Sequence, residues 1–200
     1  MPTITNLTTK EIENIQIDEG LVFIDYGLET ERKLAPTRGG GEFSATVTIR
    51  DIDFDGRSGP TKGTQVIESQ DATLKVVTLC MSHENLLLAM PYARVAGEGD
   101  EKVIKNPKCG LIKNDAYCTN ITMFAKLLSG RYKKIIIHNP MSESGLAVKA
   151  APKAEGEVSL EIKAHYTTDD LNGDLWEVSD IDSIKTSPAA AAANTEPTEE

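Results

Sequence analysis

Apolar residues alternate with polar ones through much of this chain. In "EFSATVTIRDIDFD" (Glu42 to Asp55), Ala45, Val47 and Ile49 alternate with Thr and Arg, and then the phase changes so that Ile52 and Phe54 take the other parity. Successive side chains of a strand point to opposite faces. The change of phase therefore predicts either a strand buried on both faces or a β-bulge. It also places Asp51, Asp53 and Asp55 on the face opposite Ile52 and Phe54. Further strands are predicted in "QVIES", "DATLKVVTLC", "EKVIKNPKCGLIKNDAYCTNITMFAKL", "RYKKIIIHNP", "EVSLEIKAHYT" and "DLWEVSD", with turns at "GEGD", "NP", "AEGE" and "LNGD". "IENIQIDEGLVFIDYG" (Ile12 to Gly27) predicts two short strands around a turn at Asp18-Glu19-Gly20. One segment breaks the pattern: "SHENLLLAMP" (Ser82 to Pro91) predicts a short helix capped by Ser82, with Asn85 at its third position and Pro91 as its stop. The expected fold is mainly β, a β-sandwich or partial barrel with one short α-helix.

Two stretches interrupt the strands. "LETERKLAPTRGGG" (Leu28 to Gly41) is charged, contains a proline and ends in three glycines. It predicts a long loop of the kind that orders on docking. Met141 to Lys153, rich in Ala and Gly, predicts a second exposed loop. From about Ile184 the chain is low in complexity, and "KTSPAAAAANTEPTEE" holds few apolar side chains to bury. The expected organisation is one domain over residues 1–184, with an N-terminal arm at 1–11, followed by a disordered tail at 185–200.

Charge and composition narrow the function classes. The formal charge is −10, from 31 acidic and 21 basic residues, and the pI is about 4.9. That balance disfavours wrapping onto nucleic acid, which rests on neutralising phosphates with Lys and Arg. Ten aromatic residues are too few for an evident base-stacking platform. No apolar run approaches the ~18 residues that span a membrane, and the N-terminus lacks the charged-then-apolar layout of a signal peptide. Cys80, Cys109 and Cys118 have no paired spacing, which predicts buried structural thiols and synthesis in a reducing compartment.

Several motifs invite a chemical reading. "DIDFDGRSGPTK" (Asp51 to Lys62) begins like an EF-hand loop, with Asp51, Asp53, Asp55 and Gly56 in the first half. Position 12 is Lys62, a cation where calcium needs a bidentate carboxylate, and Gly59 offers no side-chain oxygen at position 9. "GRSGPTKGT" (Gly56 to Thr64) lacks the glycine spacing and the Gly-Lys-Ser/Thr order of a phosphate-binding loop. The expectation is no cofactor and no metal. His83, His138 and His165 are scattered, and nothing singles out a nucleophilic triad or a catalytic carboxylate pair. No enzyme is expected. A monomeric β-sandwich that binds carbohydrate or protein, with Trp176 and Tyr166 as a stacking surface, stands as the alternative.

In order, "IDEGLVFIDYGLETERKLAPTRGGGEF", "IRDIDFDGRSGPTKGTQVI" and "ENLLLAMP" resemble the major tail proteins (tail tube proteins) of long-tailed, non-contractile bacteriophages of Gram-positive bacteria. The resemblance covers roughly Ile12 to Pro91. It implies a virion protein, made and assembled in the host cytoplasm, whose hexameric rings stack into a tube around the tape-measure protein. It also implies contacts with tail terminator and distal tail proteins, and phage DNA passing through the lumen without specific binding. No membrane is involved. The resemblance implies that Glu29, Glu31, Arg32, Lys33 and Arg38 lie on a loop reaching a neighbouring subunit. It places Asp53, Asp55, Arg57 and Lys62 on a turn near the same interfaces.

Overall fold

The computed structural model describes residues 7–17, 20–150, 152 and 155–185, with the Asp100 side chain left undescribed. Helix α1 (Thr9–Glu13) precedes strands β1 (Leu21–Ile24) and β2 (Arg32–Leu34). The long strands β3 (Thr37–Asp51) and β4 (Gln65–Thr78) follow, then helix α2 (His83–Ala89). A small hairpin, β5 (Arg94–Ala96) and β6 (Val103–Lys105), leads to β7 (Asn120–Lys126) and β8 (Tyr132–His138). The chain then forms β9 (Met141–Ser142), β10 (Ala147–Lys149), β11 (Glu157–Lys163) and β12 (Trp176–Ile181).

The strands make two main sheets, in the order β12-β8-β7-β1-β2 and β10-β11-β4-β3, with β9 also on β11. Their inner faces meet in one core. Val22, Ile24, Ile121, Met123 and Ile137 come from the first sheet, and Leu74, Val76, Val158, Leu160 and Ile162 from the second. Leu88 and Ala89 of α2 join the same cluster. The fold is mainly β and sandwich-like, as the alternation predicts. On the other parity of the first sheet, Phe23 and Phe124 pack edge to face with each other and with Tyr26 from the turn after β1, with centroids 4.9–5.8 Å apart.

Helix α2 forms where its caps dictate. The Ser82 side chain accepts the Asn85 backbone N–H at 3.3 Å. Asn85 is buried, and its side chain donates to the Cys80 carbonyl (3.1 Å) and accepts from Arg32 (2.8 Å). One amide thus ties β2, the helix start and the end of β4 together.

Several local expectations need correction. Residues 28–41 are largely strand and not a plain loop. The glycine run serves geometry: Gly39 and Gly40 adopt φ of 73° and 71°, where the β3–β4 register shifts between Arg38 and Gly41. A Cβ on Gly41 would stand 2.7 Å from the Met123 sulfur. Small residues at a bulge and at a close sheet-to-sheet approach look, in sequence, like a flexible linker. The first of the two short strands expected in Ile12–Gly27 is instead the end of α1, followed by an isolated Gln16–Leu127 bridge. Thr8 and Glu11 close a capping box there, which outweighs the weak alternation. Asp18 and Glu19 of the expected turn lie outside the described residues. "QVIES" and "DATLKVVTLC" form one strand, and Met141–Lys153 contains β9 and β10. Cys109 is exposed, which corrects the expectation of buried thiols. The 185–200 tail, beyond Lys185, also lies outside the described residues.

Candidate assembly surface

Strands β3 and β4 outgrow the sandwich. β11 pairs with β4 only from Thr73 to Thr78, whereas β3 stays paired with β4 out to Asp51–Gln65. The outer half of this hairpin therefore projects with no sheet neighbour on either side among the described residues. The alternation seen in the sequence decides what it projects. Phe43 packs on the core, as does its partner Leu74. Ala45, Val47 and Ile49 share the Phe43 parity, so the apolar face of the core runs on past the core's edge. Val47, Ile49 and Ile67 are 48, 57 and 58% exposed. Gln70 sits opposite Val47 on this face, and the other face carries Ser44, Thr46, Thr48, Ser69, Asp71, Thr73, the exposed Val66 and the Arg50–Glu68 ion pair.

A bulge is present near the change of phase, but in the partner strand β4, so it does not shift the phase of β3, which ends at Asp51. The register shifts between Thr48 and Ile49, leaving Glu68 extra in β4 and pairing Ile49 with Ile67. The bulge thereby brings two isoleucines face to face. The strand ends at Asp51, so Asp53 and Asp55 do not continue the strand face that the alternation predicts.

Beyond Asp51 the tip loop is wound around one arginine. The Arg57 side chain is only 10% exposed. It pairs with Asp51 (2.7 Å) and Asp53 (2.7 Å) and donates to the carbonyls of Ile52 (3.1 Å) and Gly59 (2.6 Å). The run of aspartates beside a glycine turn thus surrounds a guanidinium, an internal cation that makes planar, forked hydrogen bonds. Ile52 and Phe54 are left on the outside, both exposed.

The nine residues singled out from sequence separate into groups. Arg57 and Asp53 meet in the tip knot; Asp55 and Lys62 are exposed on the same loop. Glu31 is buried and accepts the Gly27 amide at 2.8 Å, and Arg32 is held by Asn85. Both have partners within the fold. Glu29 and Lys33 are exposed. Arg38 is exposed and pairs with Glu155 and Glu157, and those hydrogen bonds hold its guanidinium more firmly protonated than usual.

Sequence reasoning missed the larger feature, an apolar strand face with no sheet to cover it. The signal was present in the length of β3, since strands of fifteen residues exceed the usual sandwich strand. β3 is also the outermost strand of its sheet, and from Gly39 to Ile49 its only charge is Glu42. Sheet edges are normally guarded by charge, proline or short length. This one is open.

Fold and surface together define a mainly β sandwich with a projecting, half-apolar hairpin. No family model matches the sequence, and no curated protein matches it. Among solved structures, a chain from the virion of a native gene transfer agent particle is similar at 10% identity and a TM-score of 0.43, covering 74% of this chain and 92% of that one. A chain from the tail of an empty gene transfer agent particle, refined with C6 symmetry, is similar at 9% identity and a TM-score of 0.37, covering 74% and 91%. At such values the likeness carries no argument about function.

Proposed function

We propose that this protein is a structural subunit that polymerises with copies of itself into rings and, by stacking of rings, into a phage tail tube. The observation that carries the reading is the apolar face of the hairpin, which leaves the core and ends in solvent. Contiguous apolar surface of this kind marks an interaction site, and an open strand edge beside it offers backbone pairing to another chain. A second copy supplies both needs, because a head-to-tail contact closes into a ring and an unclosed stacking contact extends it into a filament. The resemblance to tail tube proteins supplies the ring size of six, the tape-measure protein inside, the terminator and distal tail proteins at the ends, and DNA as the cargo. Six copies at −10 each carry −60 per ring. Carboxylates on the lumen wall would let DNA pass without the phosphate contacts that cause sticking.

The experiment is electron microscopy and sedimentation of the purified protein over a range of concentrations. Rings or tubes are expected from the natural sequence, and monomers from a Val47→Ser/Ile49→Ser/Ile67→Ser chain with an unchanged circular dichroism spectrum. A natural chain that stays monomeric at millimolar concentration refutes the proposal. The binding-module reading gains nothing from its two aromatics. Trp176 packs edge to face on Phe43, with centroids 5.6 Å apart, while Tyr166 lines a different cleft beside His138, His165 and Asp174.

A further inference from the structure

One basic stretch of this acidic chain is "KVIKNPKCGLIK", residues 102–113, which holds four lysines and no acid. Its residues 107–113, with Pro91–Arg94 and Asp115–Ala116, line an open cleft of about 450 Å³. The apolar content of this region is unusually bare. On the cleft's lining Leu111 is 99% exposed and Ile112 is 37% exposed. Leaving such side chains in water forgoes burial worth ~25 cal/mol per Å², so the cleft has the character of a receptor.

The hairpin tip has the complementary character. Its exposed apolar residues are Ile52 and Phe54, flanked by Asp53 and Asp55. Arg57 fixes the loop from inside, so the knob is formed before it meets anything, and a preformed element loses less freedom on docking. The charges match as well. The cleft presents Arg94, Lys108 and Lys113 against the single acid Asp115. The tip presents Asp53 and Asp55 against the exposed Lys62, with Arg57 turned inward.

We infer that the hairpin tip of one copy docks in the 91–116 cleft of a neighbouring copy, Phe54 entering between Leu111 and the Pro91–Tyr92 wall and Asp55 meeting Lys108 or Lys113. This rests on the assembly proposed above and names the surfaces that meet. A phenyl ring is far smaller than the cleft, so the contact includes Ile52 and the loop backbone. The geometry is heterologous: knob and cleft are different surfaces of the same chain, as a ring or filament requires.

The exposed Cys109 on the cleft provides a direct test. An Asp55→Cys chain is assembled and mildly oxidised, and the products are run on a non-reducing gel. A ladder of covalent oligomers is expected, and it must vanish when Cys109→Ser is added. In parallel, Phe54→Ala is expected to raise the concentration needed for assembly roughly tenfold or more, as truncating an interface anchor does. Because Asp55→Cys can itself weaken docking, charge exchange gives a second arm. Asp55→Lys and Lys108→Asp/Lys113→Asp each impair assembly, and one chain carrying all three regains it. Tubes from the natural chain, with no Cys109-dependent ladder and no rescue by charge exchange, overturn this inference and leave the proposed function standing. A natural chain that never assembles overturns both.

Discussion

The tip knot makes a graded prediction, because Arg57 holds two carboxylates in very different surroundings. The Asp51 side chain is 31% exposed, and its Oδ1 is buried with no hydrogen-bond partner among the described residues. Asp53 is 97% exposed. Removing the arginine strands the Asp51 carboxylate half-buried, the costly direction of change, at about 2–3 kcal/mol. Asp51→Asn removes a charge-assisted hydrogen bond and leaves the arginine its other partners, at about 1.5–2 kcal/mol. Asp53→Asn breaks an exposed ion pair worth about 0–1 kcal/mol. These costs fall on the projecting loop alone, because a hairpin end opens without unfolding the core. The assay is therefore native-state hydrogen exchange at the Ile52 amide, bonded to the Thr64 carbonyl at 2.8 Å, and at the Thr64 amide, bonded to Thr61 at 3.2 Å. Protection should fall roughly thirty- to a hundred-and-fiftyfold for Arg57→Gln, ten- to thirtyfold for Asp51→Asn and less than fivefold for Asp53→Asn. Amides of β11 should not change. Equal effects of the two aspartate variants, or an unaltered tip in Arg57→Gln, would show that the loop is held by something other than the guanidinium.

Two further outcomes follow from the core and the thiols. Leu160→Ala should lower the unfolding free energy in urea by about 2–5 kcal/mol, the usual cost of a cavity at a fully buried leucine, and a loss below 1 kcal/mol would mean that the sheets close over the gap. Burial, with a smaller contribution from Asp25, pushes the Cys118 thiol up from 9.0 to about 11. At pH 8 a maleimide should therefore modify the exposed Cys109 well before Cys118. Because the folded pKa is the higher one, the neutral buried thiol stabilises the fold fully below about pH 9, and that contribution is lost as pH rises towards about 11. Cys118→Ala should flatten this part of the stability profile, and an unchanged alkaline slope would count against the assignment.

The alternation of side chains made β3, β7, β8, β11 and β12 legible from sequence, and "SHENLLLAMP" made α2 legible through its cap and stop. These signals are local, and the physics behind them is local too. The failures share a cause that is not local. Glycines 39–41 signify flexibility only when nothing is known of the fold; Gly39 and Gly40 supply the positive φ of the bulge, and Gly41 is a packing requirement beside Met123. Glu31 and Arg32 look like surface charges until the Gly27 amide and Asn85 are brought to them by folding. The partner that Asp51 and Asp53 find, Arg57, lay within the same twelve residues, but its inward turn is a property of the folded loop. The uncovered hairpin face was hidden for a different reason: alternation predicts which residues share a side and is silent on whether a sheet lies there.

The open edge of β3 has a consequence in time. From Gly39 to Ile49 a newly folded chain, paired to β4 on one side, leaves the other edge of β3 without a strand among the described residues and with one charge to guard it. Any extended segment nearby can pair with it, so each free chain is in a race between joining a correct neighbour and joining a wrong one. Arrival of the correct neighbour is second order in chain concentration, which makes dilute, lingering chains the vulnerable ones and rapid synthesis at one place a protection. An edge kept this bare suits a protein whose free state is meant to be brief.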